Sequence, residues 1–571
     1  MEVLQKRIRG SAVSGVAMYD LRHIGISPRK YVRFVLLPTL VASLLFVVVL
    51  LVFRILDKFG LFGSIFLAVP LFLVLIAVLY PKIIRGRVRN QIDNNIHFYI
   101  THLGALVTSE IERKEMMKVV SERKEYRALA EETRKIFLLM DKWNRNLSQA
   151  CRFIARRTPS KIFSDFLDRM AHELDSGEDL KEFIKREQEV VMDAYATLYQ
   201  GKLYSIDIFK EIYVSIILSL SFFAAFAIIA PFLTGISIQI IMYSVIVFFI
   251  LVEIGVLTYL RAVAPQDPIW QTSGEITSTE WKLYKLVYIS LAACLVVFSV
   301  VLFLVYVYRF IDIPFSFILA LSLTPLLIPG FAGRKFESII IRKDKNAPSF
   351  LMSLGASASA RGGNILESLK YLTAHDFGPL TNDIKNLYRR LTSRINKKRA
   401  WQKFSIETGS NLIYRFIDMF VEAISLGADP KMVAEILVKN FTILNNLRTR
   451  RAQSVSSFVG ISYGVIIGIA FSLYVSLGVV QSMNKIYSSL KVSLENVAPV
   501  LHTVPFTELQ VVSMLISLIL IFHAIISSFA IKIMDGGKLI SGLVHTVGMT
   551  WFAAIAGYAS QKVISSLLGM G

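Results

Sequence analysis

The sequence repeats itself once, at a spacing of 250 residues, and this repeat restricts the fold more than any other feature. The Gly-x-Asp triplet at 177–179 recurs at 427–429, and Thr158-Pro159-Ser160 is matched by Thr408-Gly409-Ser410. The apolar stretches follow the same offset. Solenoids and propellers repeat every ~20 to 50 residues, so a single repeat of this length indicates a duplicated domain. We therefore expect two copies of one domain, each with its own membrane-spanning segments.

Hydropathy places the chain in a membrane. The mean hydropathy is +0.55 and 54% of the residues are hydrophobic, which is too apolar for a soluble protein of this size. A helix needs about 20 apolar residues to cross about 30 Å of hydrocarbon. We predict nine such spans, at 34–53, 61–80, 212–234, 238–260, 284–307, 313–332, 456–480, 507–531 and 541–567. The last is the weakest, because polar residues and glycine interrupt it.

The basic residues indicate which side of the membrane each segment occupies. Nearly all of the 63 Lys and Arg lie in 1–33, 82–211, 261–283, 333–455 and 532–540. Cytoplasmic segments carry this excess, so the net charge of +21 follows the membrane topology and does not indicate nucleic-acid binding. We predict a multi-pass protein of the cell membrane, with the N-terminus and both large domains in the cytoplasm. Its segments are a basic N-terminus at 1–33, a transmembrane pair at 34–81, a first helical domain at 82–211, a pair at 212–260, a connector at 261–283, a pair at 284–332, a second helical domain at 333–455, and three spans at 456–567.

The two large domains have a helical pattern. Apolar residues recur every three and four positions in both, and no run of alternating β-branched residues indicates a sheet. Gly177 and Gly427 are suited to the left-handed conformation that ends a helix, and Asp179 and Asp429 are placed to cap the next one. The fold class is therefore an all-α polytopic membrane protein with two duplicated cytoplasmic helical bundles.

A basic cluster distinguishes the second domain from the first. The second domain holds 21 basic and 10 acidic residues, whereas the first holds 24 and 21. Basic residues beside the spans are explained by the positive-inside rule or by attraction to anionic lipid. A further cluster lies mid-domain, far in sequence from either span, and we predict that it docks an acidic partner protein. Its members are Arg389, Arg390, Arg394, Lys397, Lys398 and Arg399.

Motifs for catalysis are missing from the sequence. There is no G-x-x-x-x-G-K-[ST], no H-E-x-x-H, no C-x-x-C and no G-x-S-x-G, so we expect no enzyme activity, no cofactor and no metal. A duplicated transporter or channel is the alternative function, and Glu253 is the only clearly intramembrane acid that would serve it. Glu253 either forms a hydrogen bond inside the helix bundle or binds a polar group of a partner helix.

Three glycines mark one face of the seventh predicted span. Gly460, Gly464 and Gly468 recur at a spacing of four, and small residues there allow a second backbone to approach closely. We predict helix packing along this face. The partner is a neighbouring span of the same chain, a second copy in a homodimer, or an incoming hydrophobic helix.

The whole arrangement resembles the platform proteins of type IV filament and type II secretion machines, the family that contains the F domain. The resemblance depends on two helical domains, each with a Gly-x-Asp corner and each followed by spans. The length and the additional spans are similar to the archaeal branch, which holds the archaellum assembly platform and its pilus counterparts. The resemblance implies a scaffold that docks a hexameric cytoplasmic secretion ATPase and handles filament subunits, archaellins or pilins.

Overall fold

The computed structural model describes residues 31–52, 68–306, 313–393, 395–489 and 505–567. Within these ranges no β-strand forms, and a single β-bridge joins Trp270 to Ser410. The chain divides into two compact units, one with residues up to 195 together with 422–436, and one with 196–421 and 437–571. The prediction of an all-α polytopic fold is confirmed.

The first unit contains the first helical domain, which we call the first bundle. Its complete helices are α1 Leu37–Val52, which follows a π-helical turn at Val32–Leu36, α2 Ala68–Asp93, α3 Ile96–Leu106, α4 Arg113–Ser121, α5 Ala128–Lys142, α6 Leu147–Ala155 and α7 Lys161–Asp175. The long helix α8, Leu180–Thr234, begins here.

An aromatic core fills the first bundle. Tyr99 of α3 meets Phe163 of α7 edge to face at 5.6 Å between ring centroids, and Phe166 stacks on Phe183 of α8 at 6.2 Å. All four side chains are buried. Edge-to-face and stacked pairs add to the hydrophobic stabilisation from burial, so these aromatic contacts hold α3, α7 and α8 together.

The remaining helices lie in the second unit, except for the stretch 422–436, which belongs to the first unit. They are α9 Ile238–Val263, α10 Ser278–Tyr306, α11 Phe315–Leu323, α12 Leu327–Ala360, α13 Ile365–Leu372, α14 Thr381–Thr392, α15 Lys397–Glu407, α16 Asn411–Ser425, α17 Pro430–Ser489, α18 Phe506–Asp535 and α19 Leu539–Leu567. Helices α12 to α17 form the second bundle. Helices α7 and α16, and the starts of α8 and α17, are each separated by 250 residues, so the repeat in sequence is also a repeat in structure.

Seven helices in the described ranges are long and apolar enough to cross a membrane. They are Leu180–Pro231, Ile238–Val263, Ser278–Val305, Phe315–Ala360, Pro430–Ile486, Thr507–Asp535 and Leu539–Leu567. Each covers most or all of one of the last seven predicted spans, including the weak stretch at 541–567. The predicted span 34–53 falls on α1, and 61–80 is described only from Ala68 onward. The count of nine is therefore not confirmed.

Candidate partner-docking site

The two Gly-x-Asp corners join α7 to α8 and α16 to α17. Gly177 has a φ of +86° and Gly427 a φ of +89°, in the left-handed region that favours glycine. Asp429 caps α17, because its Oδ1 accepts hydrogen bonds from the backbone N–H groups two and three residues further on, at 3.0 and 2.9 Å. The side chain of Asp179 is exposed. Both chain reversals thus use the backbone freedom of glycine.

A buried Asp–Ser pair recurs in each bundle. The Ser160 hydroxyl donates to Asp93 of α2, and the Ser410 hydroxyl donates to Asp344 of α12. Each serine also caps the helix that follows it, accepting the N–H three residues on at 3.2 Å and 3.1 Å respectively. The serines are separated by 250 residues and the aspartates by 251. The repeated Asp-x-Asn at 93–95 and 344–346 is the signal in the sequence that marks this pair.

The predicted docking cluster lies on one helical hairpin, formed by α14 and α15. Its exposed members are Arg389, Lys397, Lys398 and Arg399. Arg390 is half-buried and forms an ion pair with Glu407 at 2.7 Å, so its charge is partly used inside the bundle. Arg394 lies outside the described residues. The hairpin therefore presents four of the six predicted cations to solvent.

A buried ion pair anchors this hairpin to the rest of the bundle. Lys343 of α12 lies 2.7 Å from Asp383 of α14. Burial raises the pKa of Asp383, and the positive charge of Lys343 opposes that shift. Lys343 also donates to the Thr408 carbonyl at 3.4 Å. The exposed cations are thus carried on helices of fixed position.

The start of α15 has an unfavourable distribution of charge. Asn396 caps the helix by accepting the Arg399 N–H at 3.2 Å. Lys397, Lys398 and Arg399 then occupy the first helical turn, where the helix dipole already places positive charge. Cations at this end repel the dipole, and an anionic partner removes that repulsion. The arrangement therefore favours binding of an acidic surface.

The connector is fixed to the second bundle by a largely buried arginine. Arg448 of α17 donates to both carboxylate oxygens of Asp267, at 2.7 and 2.5 Å, and to Asp344 at 3.0 Å. Three backbone hydrogen bonds extend the contact: Ile269 N–H to the Gly536 carbonyl at 3.0 Å, Gln271 N–H to the Gly409 carbonyl at 2.9 Å, and Asn411 N–H to the Ile269 carbonyl at 3.0 Å. Neither Arg448 nor Asp267 is among the site residues predicted from the sequence.

In the first unit, a charged cluster ties the first bundle to the segment that carries the second corner. His102 of α3 is buried, and its Nε2 lies 2.8 Å from the Glu422 carboxylate. Arg123 lies 2.5 Å from the same oxygen, and Tyr126 Oη lies 3.0 Å from Nδ1 of His102. Burial by itself raises the pKa of Glu422, but His102 and Arg123 outweigh it, so the pKa is lowered overall. The cluster links two regions that are far apart in sequence.

Glu253 lies against a histidine inside the helix bundle. Its Oε1 lies 2.5 Å from Nδ1 of His523 on α18, and both side chains are fully buried. Tyr213 of α8 stacks on the imidazole and shares a hydrogen bond of 2.8 Å with Ser527. Buried polar groups are costly unless they are paired, so this cluster specifies how α8, α9 and α18 fit together.

The glycine stripe of α17 lies on an exposed face. Gly460, Gly464 and Gly468 are all exposed, and a Cβ at any of them would meet no described atom within 4 Å. Among the described residues, no atom lies close enough to pack against this face. Packing against a second copy or an incoming helix remains a prediction.

Comparison with known proteins shows similarity over almost the whole chain. The family model described as Type II secretion system (T2SS), protein F matches residues 99–228, from α3 into α8. The chain is 40% identical over 560 residues to flagella accessory protein J of Methanocaldococcus jannaschii, a match that covers 97% of this chain and 99% of that protein. It is 39% identical over 552 residues to flagella accessory protein J of Methanococcus voltae, with 96% and 98% covered. No solved structure matches the chain.

Proposed function

This chain belongs to the family of the flagella accessory proteins J, and from that membership we propose that it is the membrane platform of an archaeal type IV-like filament. The observation that carries the proposal is the extent of the similarity, which includes both bundles and the spans around them. The name of the relatives favours an archaellum over an adhesive pilus. The match of a type II secretion protein F domain to the first bundle supports the same class of machine.

The platform docks a cytoplasmic secretion ATPase through the hairpin of α14 and α15. The support comes from charge and position. Lys397, Lys398 and Arg399 are exposed on the first turn of α15, where they oppose the helix dipole. The ion pair between Lys343 and Asp383 fixes the hairpin, so the cations meet a partner with little loss of conformational freedom.

Filament subunits are handled in the membrane beside the platform. Such subunits carry hydrophobic helices, and the exposed glycine face at Gly460, Gly464 and Gly468 allows a second backbone to come close. An incoming subunit helix and a second copy of the platform are the two occupants that fit this face. We propose that the platform itself performs no catalysis and that nucleotide hydrolysis is supplied by the docked ATPase.

Charge neutralisation on the hairpin tests the docking. Replacing Lys397, Lys398 and Arg399 together with glutamine is expected to weaken binding of the purified secretion ATPase to the platform in nanodiscs. The loss should be larger at low salt, where exposed charges are less screened. The matched control neutralises three exposed cations on α12, at Lys335, Arg342 and Lys345, and should leave binding close to wild type. Equal ATPase binding by the wild type, the triple variant and the control at low salt would rule out docking on this hairpin.

A flux assay separates the platform from a transporter or channel. Protein in liposomes is expected to pass no ion or small solute, because the only clearly intramembrane acid, Glu253, is buried against His523. Uptake that is lost in Glu253→Gln would favour the transporter.

Membrane orientation has its own test, since cysteines placed in either bundle should react with an impermeant reagent only after cells are broken.

A further inference from the structure

A short stretch of the connector lies between two other parts of the second unit. We call residues 267–271 the strap, and the loop that joins α15 to α16 the bundle loop. On one side, the strap pairs with the bundle loop and the first residue of α16. The Gln271 N–H donates to the Gly409 carbonyl at 2.9 Å. The Asn411 N–H donates to the Ile269 carbonyl at 3.0 Å. The strap is thus hydrogen-bonded to the second bundle through its backbone.

On its other side, the strap is bonded to the turn between α18 and α19, which we call the last turn. The Ile269 N–H donates to the Gly536 carbonyl at 3.0 Å. Arg451 of α17 is buried, and its Nη1 donates to the Asp267 carbonyl at 2.7 Å. Its Nε donates to the Met534 carbonyl, near the end of α18. A Cβ at Gly536 would lie 2.6 Å from the Asp267 carbonyl oxygen, so the close approach of the strap to the last turn requires glycine there.

The side chain of Trp270 holds the middle of the strap in place. It is buried, and its indole N–H donates to the Glu337 carboxylate at 3.2 Å. Glu337 also accepts the Lys538 N–H at 2.8 Å, and the Lys538 ammonium group lies 4.5 Å from the centroid of the indole ring. A cation over the face of an indole is attracted by the ring. The Trp270 backbone, in contrast, forms the β-bridge with Ser410. One residue therefore contacts the last turn through its side chain and the bundle loop through its backbone.

We propose that the strap is a conformational coupling device, which docks on the bundle loop and the last turn together and leaves both together. Ile269 carries the coupling, because its N–H bonds to the last turn and its carbonyl bonds to the start of α16. Two planar peptide units share the Cα of Ile269, so a displacement that breaks one of these bonds also shifts the other. Coupling between two sites is reciprocal, so a shift of the bundle loop loosens the last turn, and a shift of α18 or α19 loosens the bundle loop. The device depends on the chain alone and not on the proposed ATPase docking.

Hydrogen–deuterium exchange on the full chain in nanodiscs tests the coupling. Gly536→Ala places a Cβ against the Asp267 carbonyl and so disfavours docking at the last turn. The Asn411 N–H, on the opposite side of the strap, should then exchange about fivefold faster or more, the factor that corresponds to the lower end of overpacking costs. Gly274→Ala is the matched control, because Gly274 lies in the same connector with a φ of +84°, against +75° for Gly536, and a Cβ there would meet no described atom within 4 Å. The control adds similar backbone strain without the clash and should leave Asn411 exchange unchanged.

The reverse perturbation begins on the side of the second bundle. Thr272→Val removes a hydroxyl that donates to the Asn411 side-chain carbonyl at 3.0 Å and nearly keeps the volume of the side chain. Loss of one such hydrogen bond should accelerate exchange of the Ile269 N–H, which faces the last turn, by about two- to tenfold. The core amides of α17 should exchange as in the wild type, which would show that the fold is intact.

The two variants together decide whether the strap opens as one unit. If Gly536→Ala accelerates Ile269 exchange but leaves Asn411 exchange at the wild-type rate, the two sides open independently and the coupling is refuted. Equal acceleration of Asn411 exchange in Gly274→Ala would also overturn the proposal, because backbone strain in the connector would then be sufficient. Where Gly536→Ala does not fold, Thr272→Val decides: faster Ile269 exchange supports the coupling, and unchanged Ile269 exchange refutes it.

Discussion

Replacing Arg448 with methionine is expected to release the connector from the second bundle. Arg448 forms ion pairs with two carboxylates that are almost completely buried, with 11% of the Asp267 side chain and 4% of the Asp344 side chain exposed. Methionine keeps the length and the apolar stem of the side chain but removes the charge and every donor. In the docked connector, Asp267 then loses the two hydrogen bonds that its carboxylate accepts from the guanidinium, whereas in the open connector the carboxylate is hydrated.

The expected change in the free energy of connector opening depends on which carboxylate becomes hydrated when the connector opens. Breaking a buried ion pair by removing one partner costs roughly 3 to 5 kcal/mol. Asp344 stays buried whether the connector is docked or open, so only the share due to Asp267 changes the opening equilibrium. We therefore expect the lower end, about 3 kcal/mol, which corresponds to about a 100-fold larger open population.

Hydrogen–deuterium exchange measures that population directly. The N–H groups of Ile269 and Gln271 donate to Gly536 and Gly409 carbonyls and are protected only while the connector is docked. Their exchange should accelerate about 100-fold in Arg448→Met. The core amides of α17 should change much less, because the helix itself does not depend on this charge.

Two further variants test whether the ion pair between Arg448 and Asp267 holds the connector. Arg450→Met makes the same change at an exposed position on the same helix and should leave connector exchange unchanged. Adding Asp267→Asn to Arg448→Met removes the carboxylate charge that Arg448 compensates and should restore part of the protection. Unchanged exchange in Arg448→Met, or equal acceleration in Arg450→Met, would refute the argument that this ion pair holds the connector.

Three other sites give predictions of the same kind. The pKa of Glu422 is lowered in the folded protein, so its contribution to stability is present above the ordinary glutamate pKa and is lost as the pH falls through the lowered value. Limited proteolysis of the first bundle should therefore accelerate below about pH 4. Glu422→Gln should show less of this acid dependence. Gly464→Ile should leave the thermal stability of a single chain unchanged, because space is open there, but should reduce crosslinking to a second copy or to a subunit helix; a large loss of stability would contradict the open face. Glu253→Leu strands the buried His523 and should lower the aggregation temperature in detergent, whereas Glu253→Gln keeps an acceptor and should fall near wild type; equal effects would argue against the pair.

Much of the architecture follows from the sequence, because helix formation and membrane insertion depend on local patterns. The 250-residue offset predicts two copies, and the structure has α7 and α16 at that same offset. Seven of the predicted spans coincide with long apolar helices. Gly177 and Gly427 adopt the left-handed conformation that the helix–corner–helix pattern requires. The helices, spans and corners are each encoded by a few neighbouring residues, and the duplication by two matching stretches of sequence.

The docking surface is only partly readable from the sequence. The basic cluster at 389–399 is evident from charge alone. Only the structure shows that Arg390 is half-buried and paired with Glu407, whereas Lys397 is exposed. Exposure depends on how the helices around a residue are rotated, which no local pattern fixes.

The sequence by itself determined the duplication, the helical class and the positions of seven long apolar helices in this protein. Only the tertiary structure decided the pairing of its charged groups, such as Glu253 with His523, Asp267 with Arg448, and His102 with Glu422. The physical reason is distance along the chain. Hydrophobic periodicity acts over one or two helical turns, whereas each of these partners comes from a helix or connector more than 150 residues away and meets it only after the helices have packed.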